Sequence, residues 1–576
     1  MIKLFKFLKG SAVICAILAP LVMCLEVAMD LLQPTLLSNI IDIGIANQDL
    51  NYVLITGLKM IIAAIIGLFA GAACSFLAAI AAIKLGEEVR QNLFDKIQTL
   101  SFVELDKLKT SSLITRLTND VTQIQQMMNM LLRMMVRAPS TAVGGLIMAV
   151  TLSKELSNIF VVAIPIIIIV VIIILKKSFP LFNKVQRKID NINLVMRESI
   201  LGIKIIKALV IEDKQKERFN EANEDLTISS IKSQNMNLLL LPISSLIMNL
   251  TVVSVLWFGG NMFVSGNIEI GKIMAFINYL LQIMGSIMML INGMVMFSRA
   301  QVSVGRINEV LNSEPSIKNK EEATTINKFD IEFKNVFFKY NDHSDYVLED
   351  ISVKIKEGEK IGIIGSTGCG KTSFVNLIPR LYDATCGKVL IGGVDIKNIN
   401  IDQLRDEVGI VLQESILFSG NIESNFKFGK KDATEDEIIS ASKDSQAYEF
   451  IINKENKFKD EVEQRGKNLS GGQKQRLSIG RTLMKNPKIF IMDDSSSALD
   501  MVTEAKLQNS IRNRMKDSTV LIIAQRISAV MDLDRIIVMD DGKISDIGTH
   551  NDLLKRNEIY KSIAVSQMGE EVLAIV

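Results

Sequence analysis

The sequence predicts a multidomain chain: an all-α transmembrane domain of six helices, followed by an α/β domain on a largely parallel sheet. Three observations carry this. The first 300 residues hold repeated apolar runs, each near the roughly 20 residues a helix needs to cross a bilayer. The remainder alternates short β-type runs (Ile331–Phe338, Lys360–Ile364, Val408–Val411, Ile489–Met492, Val520–Ile523 and Arg535–Met539) with helical stretches, as strands joined by crossover helices do. Between the two, from Ser303 to Thr325, the composition turns polar (NSEPSIKNKEEATT).

Composition agrees. A chain of 576 residues exceeds what one core usually serves. Its 48% hydrophobic content and 22% charge, with mean hydropathy +0.29, fit neither an ordinary soluble enzyme nor membrane helices alone. The 65 Lys+Arg against 63 Asp+Glu leave no basic excess of the kind nucleic-acid binders show, so no nucleic-acid partner is expected. Five Cys do not make a disulfide scaffold in so long a chain. Two His, His343 and His550, exclude a multi-His metal site.

The six spans fall at roughly 11–43, 53–83, 131–152, 158–175, 238–264 and 270–297. Glu26, Asp30 and Pro34 interrupt the first. Basic residues crowd the stretch from Lys84 to Arg137 and the stretch from Lys176 to Lys232. The short segments Ala46–Tyr52, Ser153–Ser157 and Ser265–Ile270 carry only Lys154. Basic loops stay inside, so both termini and the C-terminal domain are expected in the cytoplasm of a multi-pass cell (plasma) membrane protein. No cleaved signal peptide is expected, because no convincing small-residue site follows Met1–Lys9. The long loops keep helical apolar spacing at Leu93, Ile97 and Leu100, and at Leu194, Ile200 and Ile203. The spans are therefore expected to continue as helices beyond the membrane.

Glu26 and Asp30 are four apart and share a helix face. With Asp42 they point either to cation recognition or an outer gate, or to hydrogen bonding between helices. Met274, Met284, Met288, Met289, Met294 and Met296 cluster in span 6. They suit either adaptable apolar ligands or plain packing.

Chemistry concentrates in the second domain. Gly365, Ser366, Thr367, Gly368, Cys369, Gly370, Lys371 and Thr372 fit G-x-x-x-x-G-K-[ST], after the apolar run KIGII and before SFVNLIPRLY. Such a loop turns backbone N–H groups toward phosphates. Lys371 reaches the outer phosphates, and the Thr372 hydroxyl suits Mg²⁺. Ser373 opens the following helix. Ile489–Met492 leads into Asp493, a strand-end carboxylate placed for the metal shell. Cys369 is either a reactive thiol or a small filler.

Leu469-Ser470-Gly471-Gly472-Gln473, followed by KQRLSIGRTL, joins the loop residue Gln413 and the turn Ser497–Asp500. With these, the domain resembles the nucleotide-binding domain of ATP-binding-cassette (ABC) transporters, an ABC-type P-loop NTPase. Six preceding spans resemble a half-transporter of the exporter type. Arg116–Asp120 and Gly202–Lys207 resemble that family's cytoplasmic loops. The resemblance implies residues 1–302 as membrane domain, 303–326 as linker and 327–576 as nucleotide-binding domain. It implies ATP and Mg²⁺, with Thr372, Gln413 and Asp493 on the metal and Tyr340 stacked on adenine. Ser470, Gly471, Gly472 and Gln473 resemble the signature loop, which acts on ATP held by an opposing subunit. Asp106–Leu113 and Ala208–Asp213 resemble coupling helices. Glu461–Gly466 resembles an exporter loop that meets them, with Gln464 where an acid is usual.

Two positions depart from the family pattern. After Asp493 the family places Glu, which polarises the attacking water; here stands Asp494. After a VLIIA-type strand it places His; here stands Gln525, then Arg526. Asp is shorter by one C–C bond, ~1.5 Å, and a misplacement near 1 Å can cost about 10²-fold in rate. Gln carries no titrating proton. The paired change resembles heterodimeric exporters with one degenerate site. It implies a second homologous half-transporter as partner, membrane lipid around it, and a hydrophobic small molecule as substrate. An importer of exporter-type architecture and an ATP-gated regulatory subunit remain alternatives.

Overall fold

The computed structural model describes residues 6–320, 324–341 and 343–568. Residues 1–5, 321–323, 342 and 569–576, which include the start of the basic N-terminal stretch and part of the expected linker, lie outside the description. The chain forms two bodies. One comprises the chain to Ile97 with Ser111–Asn312; the other comprises Gln98–Thr110 with the chain from Ser313 onward.

Among the described residues, the first body holds six helices long and apolar enough to cross a membrane. Span 1 is Ser11–Ile45, span 2 Leu50–Thr99, span 3 Thr110–Leu152, span 4 Lys154–Leu201 and span 5 Glu212–Val264. Span 6 opens the helix Ile270–Asn312. Span 2 has 50 residues and span 5 has 53. At ~1.5 Å per residue such helices are more than twice the ~30 Å of hydrocarbon, so they continue well beyond it. The last helix runs to Asn312, so the chain from Ser303 is helical where a linker was expected.

Spans 1, 3 and 6 pack together because small residues let them approach. A Cβ on Gly144 of span 3 would meet Leu31 Cδ1 of span 1 at 2.5 Å, and one on Gly145 would meet Ile283 Cγ1 of span 6 at 3.0 Å. The Tyr279 hydroxyl of span 6 donates to the Leu31 carbonyl at 2.6 Å. The neighbouring Asp30 carbonyl is the one that Pro34, four residues on, leaves without its helix donor, so the ladder is loosened beside Leu31. Further along, the buried Arg116 donates to Glu309 at 2.8 Å and to the Arg306 carbonyl at 2.7 Å. Ser303 donates to Asp120 at 2.7 Å. The Arg116–Asp120 segment is thereby tied to the last helix.

The ionisable residues of span 1 have partners. Arg137 of span 3 donates to Glu26 and, at 2.9 Å, to Asp30. Reading the sequence placed Arg137 with the basic loop. It lies well inside the helix instead, because two carboxylates on one face of span 1 offset its charge. Gly71 of span 2 closes the site, since a Cβ there would sit 2.9 Å from Glu26 Oε2. Asp42 accepts from the Gly271 N–H at 2.6 Å and from Ser38 at 2.9 Å, which caps the start of the last helix.

In the second body, five parallel strands run side by side in the order Arg535–Asp540, Lys360–Gly365, Thr519–Ile523, Ile489–Asp493 and Val408–Val411, with Lys543–Gly548 antiparallel at one edge. Every residue of Ile489–Asp493 and Thr519–Ile523 is buried, as strands covered on both faces require. Ile361, Ile363, Ile491 and Leu521 belong to one core and Phe490, Met492, Val520 and Ile522 to the other. Ile331–Phe338 was expected in this sheet. It pairs instead with Leu348–Ile355 and Cys386–Ile391 in a separate antiparallel sheet. Its alternating burial marks a strand covered on one face.

Changing Arg137→Met strands two carboxylates in an apolar setting. The midpoint of thermal aggregation in detergent is expected to fall further for Arg137→Met alone than for the triple Glu26→Gln, Asp30→Asn, Arg137→Met.

Candidate functional site

The phosphate loop follows the strand Lys360–Gly365. Its glycines are required by position. A Cβ on Gly365 would meet the Met539 carbonyl oxygen at 2.1 Å, and Gly368 and Gly370 have φ of +87° and +96°. The helix after the loop spans only Lys371–Asn376. It is shorter than SFVNLIPRLY promised, because Pro379 disfavours helix in the residue before it.

A cavity of about 190 Å³ lies at the carboxyl ends of the parallel strands, where ligands of such sheets bind. Thr367, Gly368, Gly370, Lys371, Thr372, Ser373, Gln413, Asp493, Asp494 and Gln525 all line it. Gly365 and Ser366 contribute carbonyls, which accept from Lys371 Nζ at 2.9 and 2.7 Å. Cys369 is buried with its sulfur 3.7 Å from the same ammonium, which fits a small filler. Tyr340 stands beside the loop, half-exposed, with its hydroxyl 2.8 Å from Ser373 Oγ. The volume is below the usual ~300 Å³ of a ligand pocket, so a nucleotide held here keeps part of its surface uncovered by this body.

Thr372 Oγ1 donates to Asp493 Oδ1 at 2.9 Å. Burial pushes the Asp493 carboxyl up, against the lowering effect of that bond. A buried carboxylate beside a hydroxyl and the Gln413 amide forms an all-oxygen donor set, which fits a hard cation such as Mg²⁺. When bound, such an ion neutralises phosphate charge.

The two departures from the family pattern touch each other. Gln525 Nε2 donates to Asp494 Oδ2 at 2.6 Å, and Gln413 Nε2 donates to the same oxygen at 3.4 Å. Desolvation pushes the Asp494 carboxyl up, and the Gln525 bond opposes it. Asp494 sits at φ +45°, a region that Asp tolerates better than most residues.

The signature loop is elsewhere in the body. Ser470 caps the helix Gly471–Leu483: its Oγ accepts from the Gln473 N–H at 3.3 Å, while Gln473 Oε1 accepts from the Ser470 N–H at 2.9 Å. Ser470 and Gly471 are exposed. Gly472 is held close, since a Cβ there would meet the Ala498 carbonyl at 3.1 Å. Gly471 and Gln413 line a second cavity of about 440 Å³ with Arg465, Lys474 and Gln475. Gln475 accepts from the Ala498 N–H at 3.1 Å, which ties the Ser497–Asp500 turn to the signature helix.

The short loop helices are Phe102–Leu108 and Ile203–Leu209, each beginning earlier than Asp106–Leu113 and Ala208–Asp213 suggested. In the membrane body a cavity of about 760 Å³ lies between spans 4 and 5, with Ile159, Val162 and Leu250 on its walls and Glu155, Asn158 and Asn261 among its polar residues. Among the described residues, the span 6 methionines do not line it. Met284 packs with Ala163 and Ile167 instead, and the Met294 side chain lies outside the description. Sequence reasoning also missed Tyr382, whose neighbours come from distant segments.

A phosphate loop with a strand-end acid, joined to a signature helix and preceded by six spans, defines an ABC transporter. Comparison bears this out: the chain matches the family "ABC transporter transmembrane region" over residues 16–287 and the family "ABC transporter" over residues 348–497. It is 39% identical to the uncharacterized ABC transporter ATP-binding protein YfiB of Bacillus subtilis (strain 168), over 99% of both chains. It is 31% identical to the ATP-dependent lipid A-core flippase of Syntrophus aciditrophicus (strain SB), over 87% of this chain and 84% of that one. A bacterial Atm1-family ABC exporter with ATP bound superposes with TM-score 0.80 and 25% identity, over 97% of this chain and 98% of the other. This chain therefore belongs to the ABC transporter family, as a multi-pass membrane half-transporter of the exporter kind.

Lys371→Ala removes an ammonium from the lining of the phosphate cavity. Binding of a fluorescent ATP analogue to the full chain is expected to weaken about tenfold or more, the equivalent of one charge-assisted hydrogen bond.

Proposed function

We propose that this chain is one half of a heterodimeric, ATP-driven exporter, and that its own phosphate loop forms the slow site of the pair. The observation that carries this is the oxygen shared at Asp494. A carboxylate that polarises water must offer that water a free lone pair. Asp494 Oδ2 already accepts from Gln525 and Gln413, which turns the short side chain toward Gln525 and leaves one of its two oxygens to meet a water. Gln525 also offers no proton to relay.

Binding is supported where hydrolysis is not. Gly365–Gly370 supply backbone N–H groups, Lys371 an ammonium and Tyr340 a ring for the base. Thr372, Gln413 and Asp493 are the residues that would hold Mg²⁺. Asp493 is held by the Thr372 hydroxyl rather than by Asp494, so ATP binds here and is held. The signature loop keeps its capping bonds and its exposed Ser470 and Gly471. It is equipped to meet the γ-phosphate of an ATP held by the partner. The partner's own catalytic acid then hydrolyses that ATP. The nucleotide-binding domain and both termini lie in the cytoplasm on this reading.

An amphipathic or hydrophobic cargo is supported by the apolar cavity between spans 4 and 5 and by the likeness to a lipid A-core flippase. The paired charges at Glu26, Asp30 and Arg137 support structural bonding between helices over cation recognition.

The double change Asp494→Glu, Gln525→His gives the site a longer acid and a titrating ring. ATPase of the purified chain without any second protein is expected to rise about 10²-fold. No increase, in a variant that still binds ATP, contradicts the proposal.

A further inference from the structure

The nucleotide site is joined to the first loop helix by a chain of side chains within the second body. The helix Phe102–Leu108 belongs to that body. Its start is pinned, because Ser101 Oγ accepts from the Ile317 N–H at 3.0 Å. Phe102 and Asp106 are four apart and share one face. Both meet Tyr382. The Tyr382 hydroxyl donates to Asp106 Oδ2 at 2.6 Å, and the Phe102 and Tyr382 rings lie 6.0 Å apart.

Tyr382 faces the base site on its other side. The Tyr340 ring stands edge-on to it, 5.2 Å between centroids at 89°. Phe338 contacts both rings, at 4.8 and 5.7 Å. Tyr340 in turn bonds Ser373. Tyr382 is buried, whereas Tyr340 is 37% exposed. Burial and the Asp106 carboxylate push the Tyr382 hydroxyl well above its ordinary range, so it stays protonated and donates at every physiological pH.

We infer that Tyr382 is a positioning residue that reports a base stacked on Tyr340 to the loop helix through Asp106. The inference rests on the proposed binding of ATP at this chain's own loop. A base laid on Tyr340 restrains a ring whose edge abuts Tyr382. Movement of Tyr382 is passed on because its hydroxyl is bonded to a charged acceptor, a stronger link than ring contact alone. Phosphates alone leave Tyr340 uncovered, so they should not send this signal.

Lys107 and Lys109 follow Asp106 and are exposed, so trypsin can read the helix directly. The full chain in nanodiscs is treated with trypsin alone, with ATP, and with inorganic tripolyphosphate, while ATP binding is followed by fluorescence. In wild type, ATP is expected to change cleavage at Lys107 and Lys109 about fivefold or more, a typical coupling between sites; tripolyphosphate is not. Tyr382→Phe keeps the ring and should still bind ATP, yet lose the cleavage response. Asp106→Ala should lose it too, and Asp106→Asn, which keeps an acceptor oxygen, should retain most of it. A full response in Tyr382→Phe, or a full response to tripolyphosphate, overturns the inference. Failure of the wild type to bind ATP would instead overturn the reading of the site itself.

Discussion

Asp494 accepts two amide hydrogen bonds on one oxygen, and the division of labour proposed for this protein follows from that contact. The carboxylate stands at the carboxyl end of the strand Ile489–Asp493, beside the strand that leads to Gln525. Parallel pairing brings the two residues together, so a change at one alters what the other can do. The Gln525 amide supplies the donor that the Asp494 oxygen accepts. The pair makes a clasp that holds the carboxylate toward Gln525 and engages one of its two oxygens. The rest of the phosphate site is untouched by this, because Lys371, Thr372 and Asp493 are held by their own contacts.

The membrane body obeys a second constraint. Charge inside an apolar helix bundle must be matched, and Arg137 is matched by Glu26 and Asp30. Gly71 allows span 2 to lie against that cluster. The same economy of small residues brings spans 1, 3 and 6 together at Gly144 and Gly145. Spans 4 and 5 keep a largely apolar cavity between them, with Glu155 in its lining, which gives an amphipathic molecule a place.

Much of this was legible in the sequence because it is local. Apolar runs gave the six spans, and their helical spacing announced that they extend beyond the bilayer. The glycine-rich loop, Asp493 and the signature loop are contiguous motifs, and the structure brings the loop, Gln413, Asp493, Asp494 and Gln525 to one cavity. What stayed hidden joins distant positions. Arg137 and Glu26 lie 111 residues apart and Tyr382 and Asp106 lie 276 apart, and no periodicity links them. Two misses were avoidable. The alternating pattern of Ile331–Phe338 marks a half-covered strand, and the apolar spacing after Ser303 (Val304, Ile307, Val310) marks a helix that had not yet ended. The bond between Gln525 and Asp494 was visible as two oddities but not as one contact, since only the sheet order makes their strands neighbours.

The account stands or falls on how long this chain holds an intact ATP. A single-turnover measurement with radiolabelled ATP on the purified full chain, free of any second protein, reads this directly. The account predicts that bound label is recovered as ATP long after an ordinary enzyme, turning over at roughly 10 per second, would have cleaved it. Release of phosphate in the first turnover at a rate of that order would contradict it.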